Sequence, residues 1–134
     1  MGAIIVLADD ESDLRTVYAE VLRRAGHEIL EACDGREALE QVAAHRPDLL
    51  LLDVWMPVLN GFEVLDRLRD EPLATTLKVV MLSNLGDGET RLEGFSAGVS
   101  DYWVKGLALD DLLDRVHRTL ATEVVGADPV GDPA

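Results

Sequence analysis

The chain has 134 residues, long enough for one domain with a sizeable core. Hydrophobic residues make up 48% and charged residues 28%, while 26 acids against 12 Lys and Arg leave a net charge of −14. That balance argues against a surface for direct nucleic-acid binding, which would need a basic patch, and it suits cations or basic partner faces instead.

Cys33 is the only cysteine, which excludes an intramolecular disulfide, and it reads as a small core hydrophobe. The apolar run near the amino terminus is too short for a signal peptide and has no basic flank. Gly2 is not followed by Ser or Thr at the myristoylation spacing, and no stretch approaches the roughly 20 apolar residues of a membrane span. The expectation is a soluble, cytoplasmic protein without membrane contact.

Residues 3–8 predict a short apolar strand closed by Asp9-Asp10-Glu11. Leu14, Val17, Tyr18, Val21, Leu22 and Ala25 then recur at helical spacing, with Gly26 as a stop. Residues 27–32 resume a strand, with Ile29 and Leu30 as its buried candidates, and Asp34 with Glu37 forms a capping-box pattern for a second helix through Ala38, Leu39 and Val42. Pro47 breaks that helix and leads into Leu49-Leu50-Leu51-Leu52-Asp53. This run has no alternation, which predicts a strand buried on both faces of a parallel sheet.

Asn60 with Glu63 opens a third helix whose apolar positions are Val64, Leu65 and Leu68, and Pro72 marks its end. Residues 77–82 predict a fourth strand, followed by the loop Ser83-Asn84-Leu85-Gly86-Asp87-Gly88. The next helix is poor, with Leu92 and Phe95 its only large apolar residues and Gly94 inside it; an internal glycine costs about 1 kcal/mol relative to alanine. Residues 101–104 give a fifth strand, and Leu109, Leu112, Leu113, Val116 and Leu120 mark a final amphipathic helix. The domain is expected to span residues 1–123, and residues 124–134 read as a disordered tail or the start of a linker.

Alternating strands and helices of this kind predict an α/β fold: a doubly wound, five-stranded parallel sheet with helices on both faces and right-handed crossovers. The flavodoxin-like order 2-1-3-4-5 is expected, since it sets strands one and three side by side at the switch point. Asp9 and Asp10 then end strand one beside Asp53 at the end of strand three. At an effective dielectric near 20, each close carboxylate pair repels by about 4 kcal/mol at 4 Å, so the cluster calls for a cation. With only oxygen ligands and no Cys or His nearby, Mg²⁺ is favoured over zinc, leaving a carboxylate available as a nucleophile. Ser83 and Lys105, at the ends of strands four and five, add a hydroxyl donor and a long-stemmed cation. A nucleophile, a divalent metal and fixed donors are the parts that phosphoryl transfer needs.

The set Ala8-Asp9-Asp10-Glu11, Asp53-Val54-Trp55-Met56-Pro57 with Asn60-Gly61-Phe62-Glu63, Leu82-Ser83, and Asp101-Tyr102-Trp103-Val104-Lys105 resembles the response-regulator receiver domains of two-component signalling. The resemblance covers roughly residues 3–121 and implies a phosphoacceptor switch that catalyses only its own phosphorylation and dephosphorylation. It implies that Asp53 accepts a phosphoryl group from a histidine kinase, a phosphotransfer protein or a small phosphodonor. Asp10, Asp53 and the backbone carbonyl of Trp55 would hold Mg²⁺ (or Mn²⁺), with Asp9 acting through water. Lys105 would pair with the phosphoryl oxygens, Ser83 would move to hydrogen-bond one of them, and Tyr102 would swing inward. Through these motions the site would be coupled to the face made by the fourth expected helix, the fifth strand and the last helix, where a homodimer or an effector would bind.

The chain departs from the family pattern in places. Proline usually follows the lysine, often across a cis bond; here it is Gly106, which is expected to loosen Lys105. Asn84 stands where alanine is common, and Trp55 would either shield the acyl phosphate or simply pack over its loop. His27, His45 and His117 are expected on no shared rim, Trp103 in the core, and Asp110, Asp111, Arg115 and Arg118 on a solvated face. Three alternatives share parts of the pattern. A metal-dependent phosphohydrolase with an aspartyl-phosphate intermediate would want an acid where Trp55 stands. A flavin carrier would be repelled by the three acids, and a receiver-like adaptor that never carries phosphate would not need every site residue. With no effector domain after residue 121, the sequence reads either as a stand-alone receiver or as a piece of a longer protein.

Overall fold

Leu49, Leu50, Leu51 and Leu52 are all fully buried, as a strand with two apolar faces must be at the centre of a covered sheet. They belong to β3 (Leu49–Asp53) in a computed structural model that describes residues 2–84 and 98–122. The other described elements are β1 (Ile4–Ala8), α1 (Ser12–Arg24), β2 (Glu28–Ala32), α2 (Gly35–His45), α3 (Gly61–Leu68), a 3-10 turn (Pro72–Thr75), β4 (Lys78–Ser83), β5 (Asp101–Val104) and α4 (Leu109–Ala121). The weak helix expected around Leu92, Gly94 and Phe95, the turn Gly86-Asp87-Gly88 and the tail from residue 124 lie outside the described residues.

The five strands form one sheet in the order β2-β1-β3-β4-β5, and every pairing is parallel. Because alternate residues of a strand point to opposite faces, the leucine run splits between two cores. Leu50 and Leu52 join Ala38 and Val42 of α2 and Val64, Leu65 and Leu68 of α3 on one face. Leu49 and Leu51 join Tyr18, Ala19 and Leu22 of α1 and Leu112 and Val116 of α4 on the other, where Trp103 is buried as expected.

Helix starts follow the local chemistry, with one shift. Asn60 and Glu63 make the full reciprocal box: Asn60 Oδ1 accepts from Glu63 N at 2.9 Å and Glu63 Oε1 from Asn60 N at 2.8 Å. At α2 the Asp34 side chain accepts from Glu37 N, but Glu37 reaches past the cap to the Cys33 amide at 2.9 Å. Cys33 itself is exposed, not a core residue as its composition suggested, because it lies just past the end of β2, where the chain has left the sheet. Its hydrogen bond with Glu37, with the nearby charges of Glu37 and Asp34, pushes the thiol pKa up, away from a reactive thiolate.

The loop after β3 carries a feature with no sequence signal. Leu59 N donates to Pro57 O at 2.8 Å, and between them Val58 holds φ at 71°. This is a γ-turn in the positive-φ region, which costs of order 1–3 kcal/mol for a β-branched residue. Val58 is 67% exposed, so its side chain recovers little through packing. Val58→Gly is therefore expected to raise stability by about 1 kcal/mol, the relieved strain exceeding glycine's entropic cost; urea denaturation that shows a lower midpoint would contradict this.

Candidate functional site

The parallel sheet gathers every strand's carboxyl end on one rim, which is where open α/β sheets bind ligands. Asp9 and Asp10 follow β1, Asp53 ends β3, Ser83 ends β4, and Lys105 follows β5. Ala8 pairs with Leu52 across the sheet, so the residues that follow them arrive side by side. Carboxylate oxygens of Asp9, Asp10 and Asp53 all lie within 4.8 Å of one another. Asp9 and Asp53 are only 1% and 3% exposed, whereas Asp10 is exposed.

Lys105 answers this charge. Its Nζ lies 3.1 Å from Asp9 Oδ2, 3.1 Å from Asp53 Oδ1 and 2.7 Å from Glu11 Oε1, with only 8% of the side chain exposed. Burial alone would lower the ammonium pKa, but hydrogen bonding to Glu11 and the charges of Asp53 and Asp9 hold it well above the usual lysine value. One lysine does not neutralise three acids. Burial, followed by repulsion from Asp9, pushes the Asp53 carboxyl up to about 7, against the pull of Lys105.

Two oxygens tell what else belongs here. Asp53 Oδ2 is buried with no hydrogen-bond partner, and Asp9 Oδ2, though near Lys105, accepts no well-aligned bond either. A buried carboxylate oxygen left bare costs free energy that a hard cation at this cluster would recover, and the all-oxygen donor set suits Mg²⁺. The residues present therefore fit a divalent ion.

The remaining expected residues are placed around this centre. Ser83 is buried, and among the described residues its Oγ makes only a long 3.4 Å contact, to Asn84 O. The Trp55 amide donates to Asp53 Oδ1 at 3.4 Å. Trp55 is 53% exposed and lines a surface cleft with Asn60 and Phe62. Tyr102 is buried on the α2–α3 side of the sheet. Among the described residues no peptide bond is cis; Gly106 follows Lys105 with φ at 90°, a conformation closed to proline. Gly106 does not leave Lys105 loose as expected, because the Lys105 amide donates to Ser83 O at 2.7 Å and its ammonium is held by three carboxylates.

Several contacts escaped the sequence reading. Glu11 has no assigned role there, yet it makes the shortest contact to Lys105. Arg15 donates to the Asp9 carbonyl at 2.7 Å, bracing the end of β1; an arginine one turn into α1 was the available hint. His27 and His117 were expected apart, but their Nε2 atoms lie 3.0 Å from each other, at the opposite end of the sheet from Asp53. They meet because α4 packs beside α1, whose end leads into His27, a proximity that requires the fold. His27 Nδ1 accepts from the Ala3 amide at 3.0 Å, so in the neutral ring Nε2 carries the proton toward His117. Burial, then the charges of His117 and the amino terminus, lower the His27 pKa from 6.5. A folded pKa below the unfolded value means stability that is present above about pH 6.5 and lost as the pH falls through the folded value. His117→Gln is expected to raise the His27 midpoint in an NMR titration, and an unchanged midpoint would show that the pair does not interact.

A doubly wound parallel sheet that gathers three acids, a hydroxyl and a lysine on one rim defines a class of α/β domain with a cation-suited site at the strand ends, and comparison with known proteins makes it specific. The family model described as "Response regulator receiver domain" matches residues 5–117. The chain belongs to that family. It is 32% identical over 120 residues to the phosphate regulon transcriptional regulatory protein PhoB of Pseudomonas aeruginosa, covering 90% of this chain and 52% of that one. It is 37% identical over 116 residues to the transcriptional regulatory protein PrrA of Mycobacterium tuberculosis, covering 87% and 49%. The chain thus spans about half the length of these relatives. Among solved structures, a putative response regulator from Chloroflexus aurantiacus matches with a TM-score of 0.84 at 35% identity, covering 91% of this chain and all of the other. The chemotaxis response regulator CheY4 of Vibrio cholerae matches with a TM-score of 0.83 at 31% identity, covering 89% and 99%. Among the described residues no helix is long and apolar enough to cross a membrane.

Proposed function

We propose that this receiver domain is switched by phosphorylation of Asp53, with the phosphoryl group supplied by the phosphohistidine of a histidine kinase or phosphotransfer protein, or by a small phosphodonor. The observation that carries this reading is the bare, buried Oδ2 of Asp53 at the centre of an acidic cluster that Lys105 only partly neutralises. Such an oxygen is a nucleophile held at the rim, with nothing else to bind it among the described residues.

Asp10, Asp53 and the Trp55 backbone carbonyl would hold Mg²⁺ or Mn²⁺ directly, and Asp9 through water. When bound, the ion neutralises the cluster, favours the ionised form of Asp53 and offsets charge on the transferred oxygens. The chain supplies the rest. An Asp53 carboxylate oxygen bonds to the phosphorus as the donor's P–N bond (phosphohistidine) or P–O bond (acyl phosphate) breaks, and the imidazole or carboxylate leaves with the bonding pair. Lys105 holds a phosphoryl oxygen by a charge-assisted hydrogen bond, and Ser83 turns its hydroxyl from Asn84 O to the phosphoryl group. Tyr102 follows, altering the face formed by β5, α4 and the helix expected within residues 85–97. A second copy or an effector would read that face, and the naming of PhoB and PrrA as transcriptional regulators supports an effector. The domain acts on no substrate but its own acyl phosphate.

Incubation with acetyl phosphate and Mg²⁺, followed by intact-mass measurement, tests this. One phosphate adduct is expected in the wild type and none in Asp53→Asn. An adduct that survives the substitution, or steady turnover of phosphate esters, would point to different chemistry.

A further inference from the structure

The Lys105 ammonium donates hydrogen bonds to Asp9 Oδ1 at 3.2 Å and to Glu11 Oε1 at 2.7 Å, and it lies 3.1 Å from Asp53 Oδ1 as an ion pair. An arriving phosphoryl oxygen meets an ammonium already surrounded by three carboxylates. The three acceptors differ in how easily they can let go. Asp9 and Asp53 side chains are 1% and 4% exposed, so neither can turn to water, while Glu11 is 56% exposed and can rehydrate at little cost.

Glu11 also sits where an acid would ordinarily do something else. It occupies the N-cap position of α1 with extended backbone angles, yet its side chain makes no cap hydrogen bond. Its amide donates to Asp9 Oδ1 at 2.9 Å, fixing the backbone, and its carboxylate turns to Lys105 instead of to the helix. The neglect of the cap makes a purely helix-stabilising role a poor account of this side chain.

We propose that Glu11 is a positioning residue for phosphoryl acceptance: its carboxylate holds the solvent-side N–H of Lys105 at rest, and the incoming phosphoryl oxygen must displace it. The inference rests on Asp53 being the phosphoacceptor. In the step itself, an Asp53 carboxylate oxygen forms a bond to phosphorus as the P–O bond of acetyl phosphate breaks, and acetate leaves with the bonding pair. Glu11 takes no part in that exchange of bonds; it sets how readily Lys105 reaches the transferred oxygens. It therefore slows the loading of Asp53 and stabilises the unphosphorylated state.

The test compares wild type, Glu11→Gln and Glu11→Ala by intact mass over a range of acetyl phosphate concentrations with saturating Mg²⁺, at 0.1 M and 1 M salt. Binding of Mg²⁺ with beryllofluoride, an inert phosphoryl mimic, is followed in parallel by Trp55 fluorescence. Charge-assisted contacts of this kind support an expectation of about threefold to tenfold faster loading at saturating donor in Glu11→Ala, with Glu11→Gln in between because its amide oxygen still accepts. Beryllofluoride should bind more tightly by a similar factor. Mere repulsion of an anionic donor would act through donor affinity and would fade at 1 M salt, where the screening length is about 3 Å. Loading rates equal to wild type, or an acceleration that vanishes at 1 M salt, would overturn the role given to Glu11 while leaving Asp53 as acceptor. Absence of any adduct in the wild type would remove the phosphoacceptor reading and this inference with it. Thermal melts identify loss of fold in Glu11→Ala, in which case Glu11→Gln decides.

Discussion

Asp53→Asn is expected to abolish the phosphoryl adduct and, without divalent cations, to make the protein more stable at pH 8. The two effects come from the same atoms. Asp53 is buried against Asp9, and its carboxyl is pushed up to about 7 from 3.8. A raised folded pKa means that the folded state binds more protons than the unfolded one between those values. The contribution of this group is thus full below about pH 4 and is lost as the pH rises through about 7. Asparagine keeps the shape without the charge, so it escapes that loss. The advantage of Asp53→Asn over wild type should be small at and below about pH 4, grow as the pH rises from there, and reach on the order of 2–4 kcal/mol at pH 8. Saturating Mg²⁺ should reverse the order, because the wild type keeps the carboxylate that the ion needs. Denaturant melts across pH, with and without Mg²⁺, check both halves; a variant less stable than wild type at pH 8 in chelator would show that Lys105 outweighs the repulsion.

Lys105→Met is expected to separate metal binding from chemistry. The ammonium lies against Asp9 and Asp53, two of the acids that would hold the ion, so it competes with Mg²⁺ for them. Its removal should raise Mg²⁺ affinity several-fold, since like charges near 4 Å repel by about 4 kcal/mol at an effective dielectric of 20 and the ion is left to relieve all of it. Phosphorylation should nonetheless fall by about a hundredfold or more, in the range seen when a positioned transition-state donor is lost. Mg²⁺ titration by Trp55 fluorescence and adduct formation by mass give the two numbers. Weaker Mg²⁺ binding in the variant would mean that Lys105 organises the acids rather than competing for them.

Much of this molecule is written locally. The leucine run, the helical spacing of Val64, Leu65 and Leu68, and the Asn60–Glu63 box are patterns of near neighbours, and each appears in the fold where the pattern placed it. Alternation of elements gave the doubly wound sheet but left its strand order open; the order 2-1-3-4-5 was expected because it sets β1 beside β3, and the sheet has that order and brings Asp9, Asp10 and Asp53 together. Local signals failed where a side chain's fate is set by distant chain. Cys33 looked apolar enough for the core, but its position just past β2 put it outside.

Amino-acid order alone determined which carboxylates and which lysine share a rim, because the register of a buried parallel sheet is imposed by its apolar residues. Only the tertiary structure decided how those groups spend their charge. Lys105 finds Glu11 across 94 positions and His27 finds His117 across 90, and no periodicity encodes such meetings. The titration of Asp53 near neutrality is decided there too, since desolvation and the closeness of Asp9 exist only once the sheet is packed and covered.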